Sequence, residues 1–335
     1  TNYNVSNSSR YFGTTAKKND SSLDLNQLGV VWVFNNTKEN AVWNKFALAI
    51  NYENTNNFDN NLFTAGSGTG SNLERYFLRY ANGIGAEGGA NLGTLRNTYF
   101  ENLSFIDQQA YLGYRGFIVN PSEDINSNTS YTSNVPLGSI YKENSLVSTG
   151  YNGKVALNIA GQLKERIYLG MNLNIHFTDY LKTTSYYEEY NSVPEGLQWA
   201  EFNNERYTYG GGFSFNVGGI AKVTEALRLG LAYESPTWYR LQDEIKQNII
   251  SSVGGEIIAT DPALVMVMDD YTIQTPGKYT GSLAYVFGRG GLISVDYAMR
   301  DHSNTKFSGS RYDAINNELS NDLTWAGELR VGAEY

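Results

Sequence analysis

One pattern dominates this chain: apolar and polar residues alternate one for one, over stretches longer than an ordinary strand. From Ile167 the sequence runs IYLGMNLNIHFTDY. Ile167, Leu169, Met171, Leu173, Ile175 and Phe177 take the odd positions, and Tyr168, Gly170, Asn172, Asn174, His176 and Thr178 the even ones. Successive side chains on a β-strand point to opposite faces, so this segment has one apolar face and one small or polar face. The pattern returns at 46–53, 154–160, 227–234, 279–287 and 328–335.

A soluble β-sandwich also buries one face of each strand, and it is the plainest competing fold. Length and connectivity argue against it. Soluble strands usually run about 5–6 residues, whereas a tilted strand crossing a bilayer needs about 9–11. Alternation and turn signals mark strand segments at 1–5, 25–36, 43–53, 145–162, 167–185, 205–223, 227–241, 271–287, 292–300 and 322–335. The links between them alternate strictly. Those at 37–42, 163–166, 224–226 and 288–291 are short, and those at 6–24, 54–144, 186–204, 242–270 and 301–321 are long. Tight turns at one end and long loops at the other are the habit of outer-membrane barrels.

The expected fold is therefore all-β: a transmembrane antiparallel β-barrel of the bacterial outer membrane, with 1–335 as one barrel domain and 54–144 as a long extracellular loop. The apolar faces would meet lipid or lipopolysaccharide and the polar faces would line the lumen. Arg228, Glu328, Arg330 and Glu334 all fall on the polar face, where they escape the penalty of about 2–4 kcal/mol for a basic residue at mid-bilayer. Trp43, Trp238, Tyr239 and Trp325, near strand ends, fit interfacial girdles.

Composition closes other routes. A chain of 335 residues without cysteine is no disulfide scaffold. Its longest apolar runs, such as 30–34 and 263–268, fall far short of the about 20 residues of a spanning helix. A net charge of −9 offers no basic surface to nucleic acid, and 14% aromatic residues exclude an acidic disordered chain. The sequence starts at Thr1 with no basic-then-apolar leader. A signal peptide is expected to have been removed or to lie outside this sequence.

The long loop carries helix signals. In SNLERYFLRYANG, Ser71 can cap a helix with Glu74 completing a capping box. Leu73, Tyr76, Phe77 and Tyr80 then share a face, and Gly83 is the expected stop. A second helix is expected from Ser104, with Asp107 as its box partner and Ile106, Ala110, Tyr111 and Tyr114 behind it. Two such helices could form an apolar vestibule or plug the loop against the barrel rim.

At LNQLGVVWVF from Leu25, GLAYESPTWY from Gly230, TPGKYTGSLAYVFGRGGLISVDYAMRDHSNTKF from Thr275 and LRVGAEY from Leu329, the chain resembles the FadL/TodX-type outer-membrane transporters, in the branch common in Bacteroidetes. The resemblance implies a fourteen-stranded barrel with an N-terminal hatch. It implies passive uptake of hydrophobic molecules such as long-chain fatty acids or aromatic hydrocarbons, caught by loop helices and released sideways through a gap in the wall. No hatch motif precedes the first strand and only ten strand segments are legible, so the missing parts are expected outside this sequence. A closed ten-stranded barrel is the alternative. Members of this branch are often labelled haemin receptors, which makes His176 a conceivable haem ligand.

No catalytic constellation is legible, and no cofactor or metal is expected. His302 follows Asp301, and Asp269 precedes Asp270, but adjacent residues on a strand point to opposite faces, so these pairs do not make a barrel endopeptidase. A barrel phospholipase needs Ser and His together on the lipid face, where neither histidine sits. Asp/Asn-rich stretches at 20–26 and 56–61 match no calcium loop. The Gly210–Gly212 triplet reads as a bend in a strand, with a lateral opening as its functional counterpart. The expected ligand contacts are Tyr76, Phe77 and Tyr80 at the entrance, and Asn172, Asn174, His176, Arg228 and Arg330 in the lumen, where a cation could meet a carboxylate. A different class of function, a structural barrel docking other outer-membrane proteins in a larger surface or secretion complex, is kept beside the transporter.

Overall fold

The computed structural model describes residues 2–11, 14–23, 25–38, 41–84, 88–191, 194–288 and 290–335. Thr1, Glu39, Asn40 and Arg289, which fall in expected strands and turns, and Asp24, in the 20–26 stretch, lie outside the described residues.

In chain order the strands are β1 (Asn2–Tyr11), β2 (Thr14–Leu23), β3 (Gln27–Asn35), β4 (Trp43–Asn57), β5 (Asn60–Thr69), β6 (Val119–Pro121), β7 (Tyr131–Ser133), β8 (Ser139–Leu163), β9 (Ile167–Tyr190), β10 (Leu197–Lys222), β11 (Leu227–Glu234), β12 (Trp238–Val253), β13 (Glu256–Thr260), β14 (Met266–Val267), β15 (Tyr271–Gln274), β16 (Lys278–Val286), β17 (Leu292–Asp301), β18 (Lys306–Phe307) and β19 (Trp325–Glu334). The helices are α1 (Asn72–Ala81), α2 (Leu92–Asn97), α3 (Phe105–Arg115) and α4 (Asp313–Asp322).

Strand accounts for 61% of the chain and helix for 15%. The dominant element is one curled antiparallel sheet, paired in the order β19-β17-β16-β11-β10-β9-β8-β4-β3. Above this path β12 takes over from β11 beside β10, and β5 takes over from β4 beside β8. The short links all lie at the lower end. Between β8 and β9 the chain reverses through Lys164 and Glu165, both at positive φ (44° and 55°), the handedness that fits the right-handed strand twist.

The residues buried under the helices define the inner face of the sheet: Ile140 on β8, Glu188 and Tyr190 on β9, Ala200 and Phe202 on β10, and Ile249 and Ser251 on β12. Followed down the register, this face carries Asn174 and His176 on β9, Ser214 on β10, Arg228 on β11, Lys278 on β16, Arg300 on β17 and Arg330 on β19. The opposite, outer face is apolar across the lower sheet. Leu48, Ile159, Met171, Ile175, Leu231, Leu283, Ile293 and Val331 are all exposed there, at 77% for Leu231. On β9 this apolar run spans 167–177, then gives way to the more polar series Asp179, Leu181, Thr183, Ser185, Tyr187 and Glu189 at the same side.

The sheet departs from the sequence expectations mainly above that change. The strands run on: β9 reaches Tyr190 and β10 starts at Leu197, so strand takes up much of the link expected at 186–204. β4 and β5 carry the chain to Thr69, so the helical module occupies 72–135 rather than all of 54–144. Most of 242–270 is strand, and 301–321 holds α4. In these parts both faces are polar or covered, and the two-residue period that betrays a half-exposed strand is lost. Breaks at 235–237 and 275–277 interrupt the expected strands 227–241 and 271–287. Each contains a proline, Pro236 or Pro276, which lacks the N–H a ladder needs.

The expected first wall strand at 1–5 is corrected too. β1 and β2 instead pair with each other as a separate antiparallel two-stranded sheet, held beside β5 by the side chains of Asn7 and Ser9 on the carbonyls of Asn61 and Phe63. Nine strand positions remain in the lower wall. Eight successive antiparallel pairings make β3 and β19 run in the same direction. They cannot pair with each other antiparallel. Closing this sheet into an antiparallel ring takes an odd number of further strands between them, and the one the ten-segment count would supply, at 1–5, pairs with β2 outside this wall.

Candidate functional site

Three neighbouring strands build a polar cluster on the inner face. His176 on β9, Gly212 on β10 and Tyr239 on β12 stand in one register row. Gly212 is what lets the outer two meet. A Cβ there would lie 2.7 Å from the Tyr239 ring, so the ring passes over the glycine and packs edge-on against His176, centroids 5.6 Å apart. The Tyr239 hydroxyl is 3.3 Å from His176 Nδ1. The other ring nitrogen, Nε2, is 2.8 Å from Ser214 Oγ. Asn174 Nδ2 donates to the same Oγ at 3.1 Å and also to Asn216 Oδ1. Ser214 and Asn174 are buried. Next along the triplet, Gly210 sits at φ +154°, with the Arg240 carbonyl 2.2 Å from where a Cβ would stand. The triplet therefore brings β12 close rather than merely bending β10.

Below the cluster lies a trough. Gly170, Gly218, Gly230, Ala232 and Ser282 leave it shallow-walled, and Tyr168, Asn172 and Asn216 edge it. At its foot the Lys222 ammonium stands 5.4 Å from the Tyr168 ring centre, directly across from Arg228 in the register. Arg228 Nε is buried without a hydrogen-bond partner, as is Arg300 Nε. Elsewhere on this face charges pair: Lys154 with Glu53 at 2.9 Å, Lys278 with Glu234, and Arg330 with Glu328 at 2.7 Å.

No family model matches this chain, and no curated protein or solved structure is detectably similar to it. The reading of the site therefore rests on the chain itself.

Of the expected lumen contacts, Asn172, Asn174 and His176 do share one face and one locality. Arg228 and Arg330 share the face but stand three strands apart, on the order of 14 Å, so they do not form one head-group clamp. Sequence reasoning missed Ser214, which the register places beside His176. It assigned Tyr239 to a girdle, whereas the ring turns inward. The available signal was Gly212, whose missing side chain on an otherwise alternating strand marks a close approach.

The expected entrance residues belong to the helical module. Ser71 caps α1 by accepting from Glu74 N at 2.9 Å, and Ser104 caps α3 by accepting from Asp107 N at 3.1 Å. Leu73, Phe77 and Ala81 are buried on the face the spacing predicted. Phe77 is wholly buried, its ring 5.1 Å from that of Phe202 on β10. It is a core residue rather than an exposed entrance contact. Tyr76 and Tyr80 are half-exposed, and the Tyr76 hydroxyl donates to Gln109 at 2.9 Å. The helices pack into the wall and plug its upper end.

Buried polar bonds fix that plug. Glu188, on the inner face of β9, accepts from Asn72 N at 2.8 Å, from Ser71 Oγ and from Tyr190 Oη. A carboxylate at the start of α1 meets both free N–H groups and the positive end of the helix dipole. Gln109 on α3 donates to Gln247 on β12 at 2.7 Å, and Ser251 donates to the Gly116 carbonyl at 2.7 Å.

Burial also raises the phenols of the module. Tyr131 is pushed up to about 12, chiefly by desolvation. Tyr76 rises by burial and by the neighbouring Tyr80. Tyr190 rises well above its usual value by burial and by Glu188. An unfolded tyrosine ionises near pH 10. Folding thus favours the neutral phenols, and their contribution is complete below about pH 10; that of Tyr131 is lost as pH climbs through about 12. In an alkaline titration followed by tyrosinate absorbance, these three tyrosines are expected to ionise among the last, with protease protection of the module falling over that window. Ionisation of all three near pH 10 with the module intact would contradict the assignment.

Proposed function

We propose that the chain forms the wall of an outer-membrane β-barrel that admits hydrophobic small molecules passively. The observation that carries this reading is the division of the lower sheet. The outer face is apolar along the eleven positions 167–177 of β9, while the strand charges stand on the inner face. Eleven residues at about 3.3 Å each, tilted by about 45°, rise about 25 Å, the height of a barrel's lipid band. Beyond Phe177 four of the next six outer positions are Asp, Thr, Ser or Glu, as in a segment leaving lipid. In an odd-completed ring, fourteen strands would need five beyond these nine.

Two features support passage rather than a packed scaffold. Beneath the plug the inner face is left as a trough of glycine, alanine and serine rather than a filled core. The proline breaks at 235–237 and 275–277 also lie side by side, joined to each other through Thr237 and Thr275 while Ser235 stays bonded to Phe215 on β10, which thins the ladder between the two breaks. A solute would partition onto Tyr76 and Tyr80, pass the plug, and leave along the trough or through the wall. Arg228, with its partnerless Nε, is the cation placed to receive a carboxylate.

Full-length protein expressed in a Gram-negative host lacking long-chain fatty-acid import is expected to restore uptake. Arg228→Ala should lower uptake of the fatty acid about tenfold or more, the value of one charge-assisted bond, while a neutral hydrocarbon of similar length is unaffected. Equal loss for both solutes would remove the head-group role. No uptake of either by the native protein, with a stoichiometric protein partner on purification, would replace the transporter by the scaffold.

A further inference from the structure

The geometry points to an esterase site at Ser214, served by His176. The Ser214 hydroxyl and His176 Nε2 are 2.8 Å apart, within the reach a nucleophile–base pair needs. His176 Nδ1 faces the Tyr239 hydroxyl. With Nδ1–H donating to that oxygen, Nε2 is left as the acceptor that takes a proton from serine. Tyr239 is thus a positioning residue, and Gly212 is the device that lets it reach across a whole strand. Backbone N–H groups beside Ser214 are already engaged, those of β9 and β10 in their pairing and that of Phe215 on Ser235 Oγ. The donor for a developing oxyanion is therefore the side-chain amide of Asn174, whose Nδ2 already reaches Ser214 Oγ and is itself oriented by Asn216 Oδ1.

The substrate class follows from what adjoins the cluster. The trough begins at Asn216 and runs past Gly218 to Ile220, about 13 Å of strand with small residues on the neighbouring strands. An extended acyl chain fits that lining, and it would present its carbonyl at the Asn216 end, beside Ser214. The ligand is an ester of a medium or long apolar acid.

The chemistry balances without a cofactor. Ser214 Oγ bonds to the ester carbonyl carbon as its proton passes to His176 Nε2. The tetrahedral species collapses, the ester C–O bond breaks, and the leaving alkoxide takes that proton from His176. Water then attacks the acyl-serine, giving one proton to His176, which returns it to Ser214 Oγ as the carboxylic acid departs.

The test uses the intact protein in detergent, folded as judged by its heat-modifiable migration on gels, and an alkyl fluorophosphonate as probe. Peptide mass mapping is expected to find the phosphonyl group on Ser214. Hydrolysis of p-nitrophenyl acyl esters should favour medium and long chains over acetate. His176→Gln should slow labelling at least about 100-fold. Tyr239→Phe should lower kcat for ester hydrolysis and leave KM unchanged, because the imidazole is no longer held in the tautomer that leaves Nε2 free. Folded native protein that leaves Ser214 unlabelled, or label confined to other serines, overturns the proposal. So does labelling that His176→Gln leaves unchanged.

Discussion

Replacing Phe77 by alanine is expected to cost the helical module about 3–5 kcal/mol, the range for deleting a buried phenylalanine, and to release that module without unravelling the lower sheet. Phe77 is wholly enclosed between α3 and the wall. Its ring meets Phe202 at 5.1 Å and Tyr76 at 5.1 Å. A Cβ on Gly113 of α3 would fall 2.7 Å from it, so α3 closes on the ring with no slack. The cavity left by alanine cannot be filled by a neighbour on either side. The lower strands hold their own ladders from Ile167 to Phe177 and gain nothing from Phe77. Hydrogen exchange should show 72–135 losing protection while β9 below Thr178 keeps it. If both lost protection together, module and sheet would be one cooperative unit.

The lower sheet was legible because its two faces live in different surroundings. Leu169 and Met171 had to differ from Gly170 and Asn172, and the difference is written in alternate letters. The turns were legible for a related reason: short links leave few ways to reverse a chain. The upper strands were not. Thr183, Ser185 and Glu189 alternate with Thr184, Tyr186 and Glu188 without contrast, although Glu188 is buried and Glu189 is exposed on its own segment. Burial there is decided by helices arriving from elsewhere, and Glu188 is tolerated only because α1 brings it Asn72 N and Ser71. The α1 and α3 caps were visible since Ser-x-x-Glu and Ser-x-x-Asp are local signals.

The site was half legible for the same reason. Asn172, Asn174 and His176 share a face by spacing alone. Ser214 and Tyr239 join them only through register, and register across β9, β10 and β12 depends on loops whose lengths the sequence left open. Arg228 and Arg330 show the converse error. A shared face was correctly inferred, but distance around a curled sheet cannot be read from alternation.

Leu231→Arg should decide most sharply what lies against the outer face. Leu231 is 77% exposed on β11, among Val217, Leu229, Tyr279 and Leu283 on the same side. If that face meets lipid, arginine there costs about 2–4 kcal/mol, and refolding into bilayers should drop by one to three orders of magnitude at the same pH and temperature. The register sets the neighbouring Ala232 on the inner face, in the same alternation as Arg228, so Ala232→Ser, one residue away, should refold like the native chain. Exposed leucine in water predicts the reverse. A basic side chain would then be harmless, and it would raise solubility by breaking an apolar patch. A Leu231→Arg protein that inserts normally removes the lipid band, and with it the barrel in a membrane. A defect confined to the outer substitution fixes the sidedness on which the lumen, the trough and the Ser214 cluster all depend.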